Sequence, residues 1–463
     1  MTMKTEELGS ARILPLMFRL ALPSLASCLI NVLYSIVDRI YIGHLSSASS
    51  AALTGVGLCL PVLQMISAFS AFAGSGGAPL CAIELGKKEK DFSAQIQAQK
   101  IFSNAFFLLL FFSAVLTFTV LFFYRPFLYA FGASEETFPY ARDYLRIYGC
   151  GTVFVQLAMG LNPFISCQGH AKTAMLSVFI GAVLNIILDP LFIFVLGMGV
   201  KGAAWATVIS QGISAAWIFA FFLSKNSCLK IDSRIFKPEG SIIYKISALG
   251  ISPFIMTVTE SGVYAVYNYG LHKFGGDNWV GAMTLIQNVQ LIVYLPLAGF
   301  CSGIQPLISY NYGARKFLRM KYVITGMLLV TGITEILLVM SVRFFPFFYT
   351  GIFTGDSQLL NIAAPMLRFY ILGMYIMWLQ HCAQTVFVAL GKAKISVFIA
   401  CLRKIILLIP LAFIFPRIFG VESIFCAEPC ATFCSATTSG FVLYFLCKKI
   451  WKASYSEMEP RIL

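Results

Sequence analysis

Residues 174–197 read AMLSVFIGAVLNIILDPLFIFVLG, a run with a single charged side chain, Asp189. At ~1.5 Å of rise per residue a helix of that length outspans the ~30 Å hydrocarbon core of a bilayer. Comparable runs recur near 16–42, 51–83, 101–131, 145–168, 202–223, 246–271, 279–310, 322–353, 362–390, 395–416 and 420–447. The expected fold class is therefore all-α, a polytopic membrane protein with twelve transmembrane helices. Several runs exceed 27 residues, which implies tilt, kinks or helices that project past the bilayer. Strands of a membrane barrel would alternate over ~10 residues instead of staying apolar. Composition agrees, since the 463 residues are 59% hydrophobic and 12% charged, about half the charge of an ordinary soluble domain.

The net charge of +14 would suit nucleic acid, but its distribution points elsewhere. With the N-terminus inside, 25 of the 34 Lys and Arg residues fall on the inner loops and helix ends, among them Lys87, Lys88, Lys230, Lys237, Arg403 and Lys404. That bias predicts a multi-pass protein of the plasma membrane with both termini cytoplasmic, surrounded by lipid and binding no nucleic acid. The first 15 residues carry two acids and lead into a long helix, which does not match a cleaved signal peptide. Thirteen cysteines are scattered, mostly one per helix. Cys426, Cys430 and Cys434 share a helix face at i, i+4, i+8, which reads as small-residue helix packing before it reads as a thiolate metal site.

The chain repeats itself. Gly76-x-x-Pro79-Leu80 followed by Gly86 recurs as Gly303-x-x-Pro306-Leu307 followed by Gly313. Pro23…Tyr34-x3-Asp38 matches Pro253…Tyr264-x3-Asn268. Leu145-Arg146-x-Tyr148 matches Leu367-Arg368-x-Tyr370, Gly169-x-Ala171-Lys172 matches Gly391-x-Ala393-Lys394, and Gly199-Val200 matches Gly420-Val421. Five matches in order, at slowly drifting offsets, predict an N-terminal lobe at 1–223, a cytoplasmic linker at 224–245 and a C-terminal lobe at 246–463. An even number of spans per half inserts both the same way, as parallel repeats about an axis along the membrane normal. Two such lobes suit a transporter with its site at their interface.

Ionisable groups within the hydrocarbon cost ~2.5–3.5 kcal/mol each by insertion scales, so each requires a reason. The candidates are Asp38, Asp189, Glu260 and Glu335. Asp38 lies about four residues from the outer end of the first run, or ~6 Å. Asn185 and Asp189 are i and i+4 and share a helix face, while Pro190 frees the carbonyl of Ile186. Tyr144 and Thr207 fall near the outer ends of the fourth and sixth runs. Five oxygen-bearing side chains of one half thus share a depth zone, as a hard cation requires. Desolvation and like charge also disfavour ionising both carboxyls together, which suits proton uptake. A hydrogen-bonded network that only joins helices is the competing reading. The second half lacks the pair: Asn268 stands opposite Asp38, and Leu407–Leu411 opposite Asn185–Asp189. Glu260 sits mid-run against Ile30 as counterpart, either a ligand or a buried structural partner. Glu335 has no supporting neighbours.

At these residues the chain resembles the multidrug and toxic compound extrusion (MATE) family. The segments that carry the likeness are Pro23 with NVLYSIVDRIYIGHL at 31–45, Asn185-x3-Asp189-Pro190, GMGVKGAAWAT at 197–207, and Gly-x-Ala-Lys after the fourth and tenth runs. The resemblance implies an antiporter that exports drug-like, often cationic compounds by alternating access, driven by H+ or Na+, with no cofactor beyond the transported ion. It implies cation binding by Asp38 and Asp189 assisted by Tyr144, Asn185 and Thr207, and a bending hinge at Pro23. Another branch of the family uses second-lobe acids on helices 7 and 10. Glu260 fits the first of these, but the tenth run offers Gln380, His381 and Gln384 instead of an acid.

By spacing, Gln156, Met159 and Asn162 face inward on the fourth run, Met283 and Gln287 on the eighth, and Met377, Gln380 and Gln384 on the tenth. Flexible thioethers and amides suit promiscuous binding. A flippase for lipid-linked oligosaccharides shares the layout but calls for a basic central cavity, whereas most basic residues sit at the cytoplasmic rim. An intramembrane enzyme built on an Asp38/Asp189 dyad has no accompanying motif: there is no His-Glu-x-x-His, Gly-x-Gly-Asp or Gly-x4-Gly-Lys-[Ser/Thr]. The expected partners are small drug-like molecules and lipid, and the expected state a monomer.

Overall fold

The computed structural model describes residues 5–43, 49–88, 91, 93–231 and 237–458. His44 and Leu45, residues 232–236 of the expected linker, and Lys4, Lys90, Arg234 and Arg461 of the charge count lie outside them. Among the described residues there is no strand, and eleven helices are long and apolar enough to cross a membrane. They are α1 (Ile13–Gly43), α2 (Ser49–Lys87), α3 (Ser93–Ala130), α5 (Ala171–Pro190), α6 (Val200–Leu223), α7 (Gly240–Gly275), α8 (Asp277–Gly313), α9 (Phe317–Phe344), α10 (Ser357–Ala389), α11 (Ala393–Phe419) and α12 (Ile424–Met458). Between α3 and α5 runs α4, a pair of shorter helices, Phe138–Cys150 and Thr152–Ser166. They join at Gly151, where a Cβ would collide with Val208 of α6. The spacing places the start of this span at 145. The helix begins earlier because its first turns carry Arg142 and Asp143 and so read as polar.

Two of the described helices widen into π turns. Beyond Pro190, α5 continues as a wide π turn over Leu191–Val195, since the proline cannot donate the regular bond. In α11, the counterpart of α5 in the repeat, a π turn spans Leu402–Leu408.

The duplicated glycines mark the contact between the two sequence halves. A Cβ at Gly76 in α2 would run into Gly250 and Ile246 of α7, and one at Gly303 in α8 would sit 2.6 Å from the Cα of Ala21 in α1. Gly86 abuts Tyr310 of α8 and Ala314 just past its end, and Gly313 abuts Ile83 of α2. Each helix uses its glycines for the same purpose on its opposite number, as a two-fold relation requires. Close backbone approach of this kind is how helices associate where water supplies no driving force. All these contacts lie in the helix halves leading to the ends that carry both termini. Phe69 and Phe254 close the same seam at 4.9 Å between ring centroids.

The segment between the halves is tied down where described. Gln99 Oε1 accepts from the Lys230 amide at 2.8 Å, Asn104 Oδ1 from the Glu239 amide at 2.8 Å, and Gln168 Oε1 from the Cys228 amide at 2.8 Å. The N-terminal turn is held by the second half, Asn311 Nδ2 donating to the Leu8 carbonyl at 3.1 Å.

Candidate cation site and transport cavity

The residues of α5 that interrupt its apolar run converge with α1, α4 and α6. Asp189 is fully buried and Asn185 nearly so. The Asn185 amide donates to Asp189 Oδ1 at 3.3 Å and to Thr207 Oγ1 at 3.5 Å, while Thr207 donates to the Ala203 carbonyl at 3.0 Å. Tyr144, from the first segment of α4, reaches the Thr207 hydroxyl and stacks on Tyr148 at 6.2 Å. Asp38 of α1 is half-buried and lies close enough to Asp189 for their charges to interact, and Tyr34, one turn before it, feels both. The structure thus brings together the five residues singled out by depth. Two buried oxygens in the group, Asp189 Oδ2 and Asn185 Oδ1, have no hydrogen-bond partner. Buried acceptors left this way are costly unless a proton or cation meets them.

A cavity of about 200 Å3 opens on this cluster, with Asn185 and Thr207 in its wall together with Asn31, Tyr34, Met159 and Asn162. Its lining contains no lysine or arginine. A second cavity of about 140 Å3 lies toward the seam between the halves, lined by Ser24, Ser75, Ser302 and Gln305 among others. The two share Ser27, Asn162 and Pro163. Drug-sized ligands commonly need ~300–1,000 Å3. The first cavity alone therefore fits a cation and part of a larger molecule.

The second half is built differently. Lys404, in the π turn of α11, pairs with Glu260 of α7 and donates to the Met256 carbonyl at 2.8 Å. Its neighbour Arg403 pairs with Glu428 of α12, which also accepts from Thr432 at 3.4 Å. Arg403, Lys404 and Glu428 are each less than a tenth exposed. Around them Tyr370 donates to Gln290 Oε1 at 2.9 Å, and Tyr294 meets His381 Nδ1 at 3.3 Å.

The MatE family model matches residues 23–191 and 253–414, one match in each half. The chain belongs to the MatE family. It is 27% identical over 465 residues to Multidrug export protein MepA of Staphylococcus haemolyticus, covering 99% of this chain and 100% of that protein. MepA of Staphylococcus aureus (strain MSSA476) is 25% identical over 433 residues, 93% of each chain. Among solved structures, a ligand complex of the MATE multidrug transporter DinF-BH is 30% identical with a TM-score of 0.87, over 96% of this chain and 98% of that one. Each MatE match opens on the proline inside the first helix of its half, Pro23 in α1 or Pro253 in α7.

Within this MatE-family architecture the other sequence candidates separate. Pro23 is buried on α1 between Ala21 and Leu25, the positions that meet Gly303 and Gly299 of α8, so it sits at the seam and away from Asp38. Met159 lines the first cavity, and Asn162 lines both. Gln156, Met283, Met377 and Gln384 line neither cavity. Gln156 donates to the Ile66 carbonyl at 2.8 Å, and Gln384 clamps Ser252 and Ser396, each at 2.7 Å. Met283 and Met377 are packed in the core. Inward periodicity selects packing and lining positions alike. Gln287 is half-buried on α8, and Gln380 is buried on α10 with its Oε1 unbonded. Glu335 is buried on α9, its Oε1 likewise unbonded. Cys430 and Cys434 are exposed on α12.

Arg403 and Lys404 require a correction. The charge count places them at the cytoplasmic rim, but they lie inside α11, about ten residues from its start, where paired acids neutralise them. Glu428 joins this cluster, and Glu428-Pro429 interrupts an apolar run as Asp189-Pro190 does. Tyr34 joins the first-half cluster. Its i, i+4 spacing to Asp38 was the available signal.

Proposed function

We propose that this protein is a cation-coupled exporter of drug-like, often cationic organic molecules, working by alternating access with H+ or Na+ as the driving ion and no other cofactor. The observation that carries this reading is the Asp38/Asp189 pair clustered with Tyr144, Asn185 and Thr207, the last two lining a cavity without basic groups. The printed activity of its relatives, multidrug export, supports the cargo class. Excess Lys and Arg at the end that carries both termini supports a cytoplasmic face there. The sealed seam then lies on the cytoplasmic side, and the site addresses the outside.

Coupling follows from competition. Two ionised carboxylates attract a cationic substrate; a proton or sodium ion arriving from outside neutralises them and weakens that attraction. A ligand shifts a two-state equilibrium only by its differential affinity for the states. The driving ion must therefore bind the two states with different affinity. One elementary charge moving through 100 mV supplies ~2.3 kcal/mol, roughly fifty-fold in gradient. The flippase reading loses its basic cavity, because Arg403 and Lys404 are each paired. A hydrolytic dyad would need an accessible second acid, and Asp189 is fully buried behind Asn185.

The test is dye efflux from vesicles with proton and sodium gradients imposed separately. Asp38→Asn or Asp189→Asn, at unchanged expression, should lower gradient-driven efflux at least ~10-fold, since each removes a charge from a low-dielectric site. Efflux that survives in both variants would refute the coupling.

A further inference from the structure

The repeat pairs α1 with α7 and α5 with α11, and in both halves a carboxylate on the first helix of the pair meets a polar group on the second, Glu260 standing two turns before Asn268, the counterpart of Asp38. In the N-terminal half the partners are Asp38 and Asp189, two acids beside a cavity without lysine or arginine. In the C-terminal half the partners are Glu260 and Lys404. The side chain of Glu260 is 48% exposed, whereas that of Lys404 is 8% exposed, so the ammonium approaches the carboxylate from the protein side. The π turn over Leu402–Leu408 aims consecutive residues, Arg403 and Lys404, at different acids on different helices, Glu428 of α12 and Glu260 of α7. π bulges of this kind recur at functional sites. The four formal charges of the second-half cluster sum to zero, while those of the first-half pair sum to minus two.

We infer that Lys404 is a tethered cation: at Glu260 its ammonium takes the place that a free coupling ion takes at Asp38 and Asp189, so the C-terminal half carries an acidic site already filled by the chain itself. This extends the proposed function by fixing one cation site per molecule. It rests on that reading only for the comparison between halves. Removal of the lysine charge turns Glu260 into a binding site for a small cation, a proton or Na+, because a carboxylate left unpaired within the membrane demands a counter-charge. The charged and titratable groups around Glu260 are Lys404, Arg403, Glu428, Tyr264, Tyr267 and Tyr294, with His381 behind Tyr294 and beside Arg403. Tyrosines ordinarily titrate near pH ~10, so these stay neutral through the range of the test.

The experiment uses the full chain carrying Asp38→Asn and Asp189→Asn, so the outcome does not depend on the first-half site. The failure of that site is read separately, in vesicle efflux. Thermal unfolding of the purified protein is followed with NaCl against N-methylglucamine chloride at about pH 8, and again at about pH 5.5. The background chain should unfold at the same temperature in both salts. Adding Lys404→Met, or Lys404→Gln as a second neutral replacement, should create a rise in Tm with Na+ or with acid. That rise should vanish when Glu260→Gln is added and be absent in Lys404→Arg. Two results would overturn the inference. One is a Na+ response in the background chain that Glu260→Gln removes, which means a free cation shares the site with Lys404. The other is a neutral Lys404 variant whose Tm differs from its Glu260→Gln derivative in no salt and at neither pH. If neither neutral variant folds, the background chain with and without Glu260→Gln still decides.

Discussion

A charged side chain in hydrocarbon is informative in proportion to its cost, and at the scale of single residues that cost separated Asp38 and Asp189 from several hundred apolar neighbours. The same argument failed at Arg403, Lys404 and Glu428. A basic pair ten residues into a run reads as the flank of a shorter helix, and only the fold reveals that two acids from α7 and α12 meet it. Sequence spacing carries no information on partners from distant helices. Outside the membrane, His170 shows how a single group sets a pH response. It sits between α4 and α5 with its ring edge-on to Phe221 at 5.1 Å. Burial lowers its pKa below the ordinary 6.5, and a hydrogen bond to the Asn226 backbone opposes this more weakly. Because the folded value is depressed, the unfolded chain binds more protons. The contribution of His170 to stability is therefore complete above the ordinary value and is lost as the pH falls below it. His170→Gln should flatten part of the decline in Tm between about pH 7.5 and about pH 5.5. An unchanged slope would show that the ring titrates as if free.

Elements add what residues alone do not show. The twelve apolar runs were legible because a membrane span is longer than any competing apolar pattern, whereas the first turns of α4 were hidden by Arg142 and Asp143. The π turn after Asp189 was not legible: Pro190 announces a lost hydrogen bond but not how the helix recovers. The recovery is visible at Gly202 of α6, where a Cβ would lie 2.7 Å from the carbonyl carbon of Phe192. That neighbour is backbone inside the π turn, so it has little freedom to yield. Gly202→Val should push α6 away from the end of α5 and separate Thr207 from Asn185, now 3.5 Å apart. The expected result is a loss of gradient-driven efflux of roughly 10-fold or more, from displacement of the site by about 1 Å, with expression maintained. Efflux within about two-fold of the parent would mean that the α5–α6 contact does not set the geometry of the site.

At the scale of the whole molecule, alternating access needs an interface that is tight in one state and separable in the other. The seam meets the first condition through glycine: Gly76, Gly86, Gly250, Gly303 and Gly313 each place backbone against the backbone of the opposite half. At these glycines no side chain has to be disengaged for the surface to part, although Phe69 and Phe72 also pack on Phe254 and Phe18 on Phe300; the backbone contacts suit rocking of two rigid bodies. The duplicated glycine motifs were legible as a repeat. Their role as the contact surface was not, because a repeat says which positions correspond and not which face they present. Bulk introduced here penalises only the sealed state. Gly250→Leu would collide with the Phe72 carbonyl, and Gly86→Leu with that of Tyr310. Overpacking of this sort costs ~1–3 kcal/mol, enough to shift a two-state equilibrium by roughly 5- to 150-fold toward the parted form. The chain supplies its own reporters, since Cys28 and Cys167 line the cavity at the seam. In inside-out vesicles, alkylation of these two cysteines by a membrane-impermeant maleimide, read by mass spectrometry, should be slow in the parent and several-fold faster in Gly250→Leu and Gly86→Leu. Equal alkylation of Cys28 and Cys167 in parent and variants would mean that the glycine seam is not the barrier on that side, and that the two halves exchange access by some other surface.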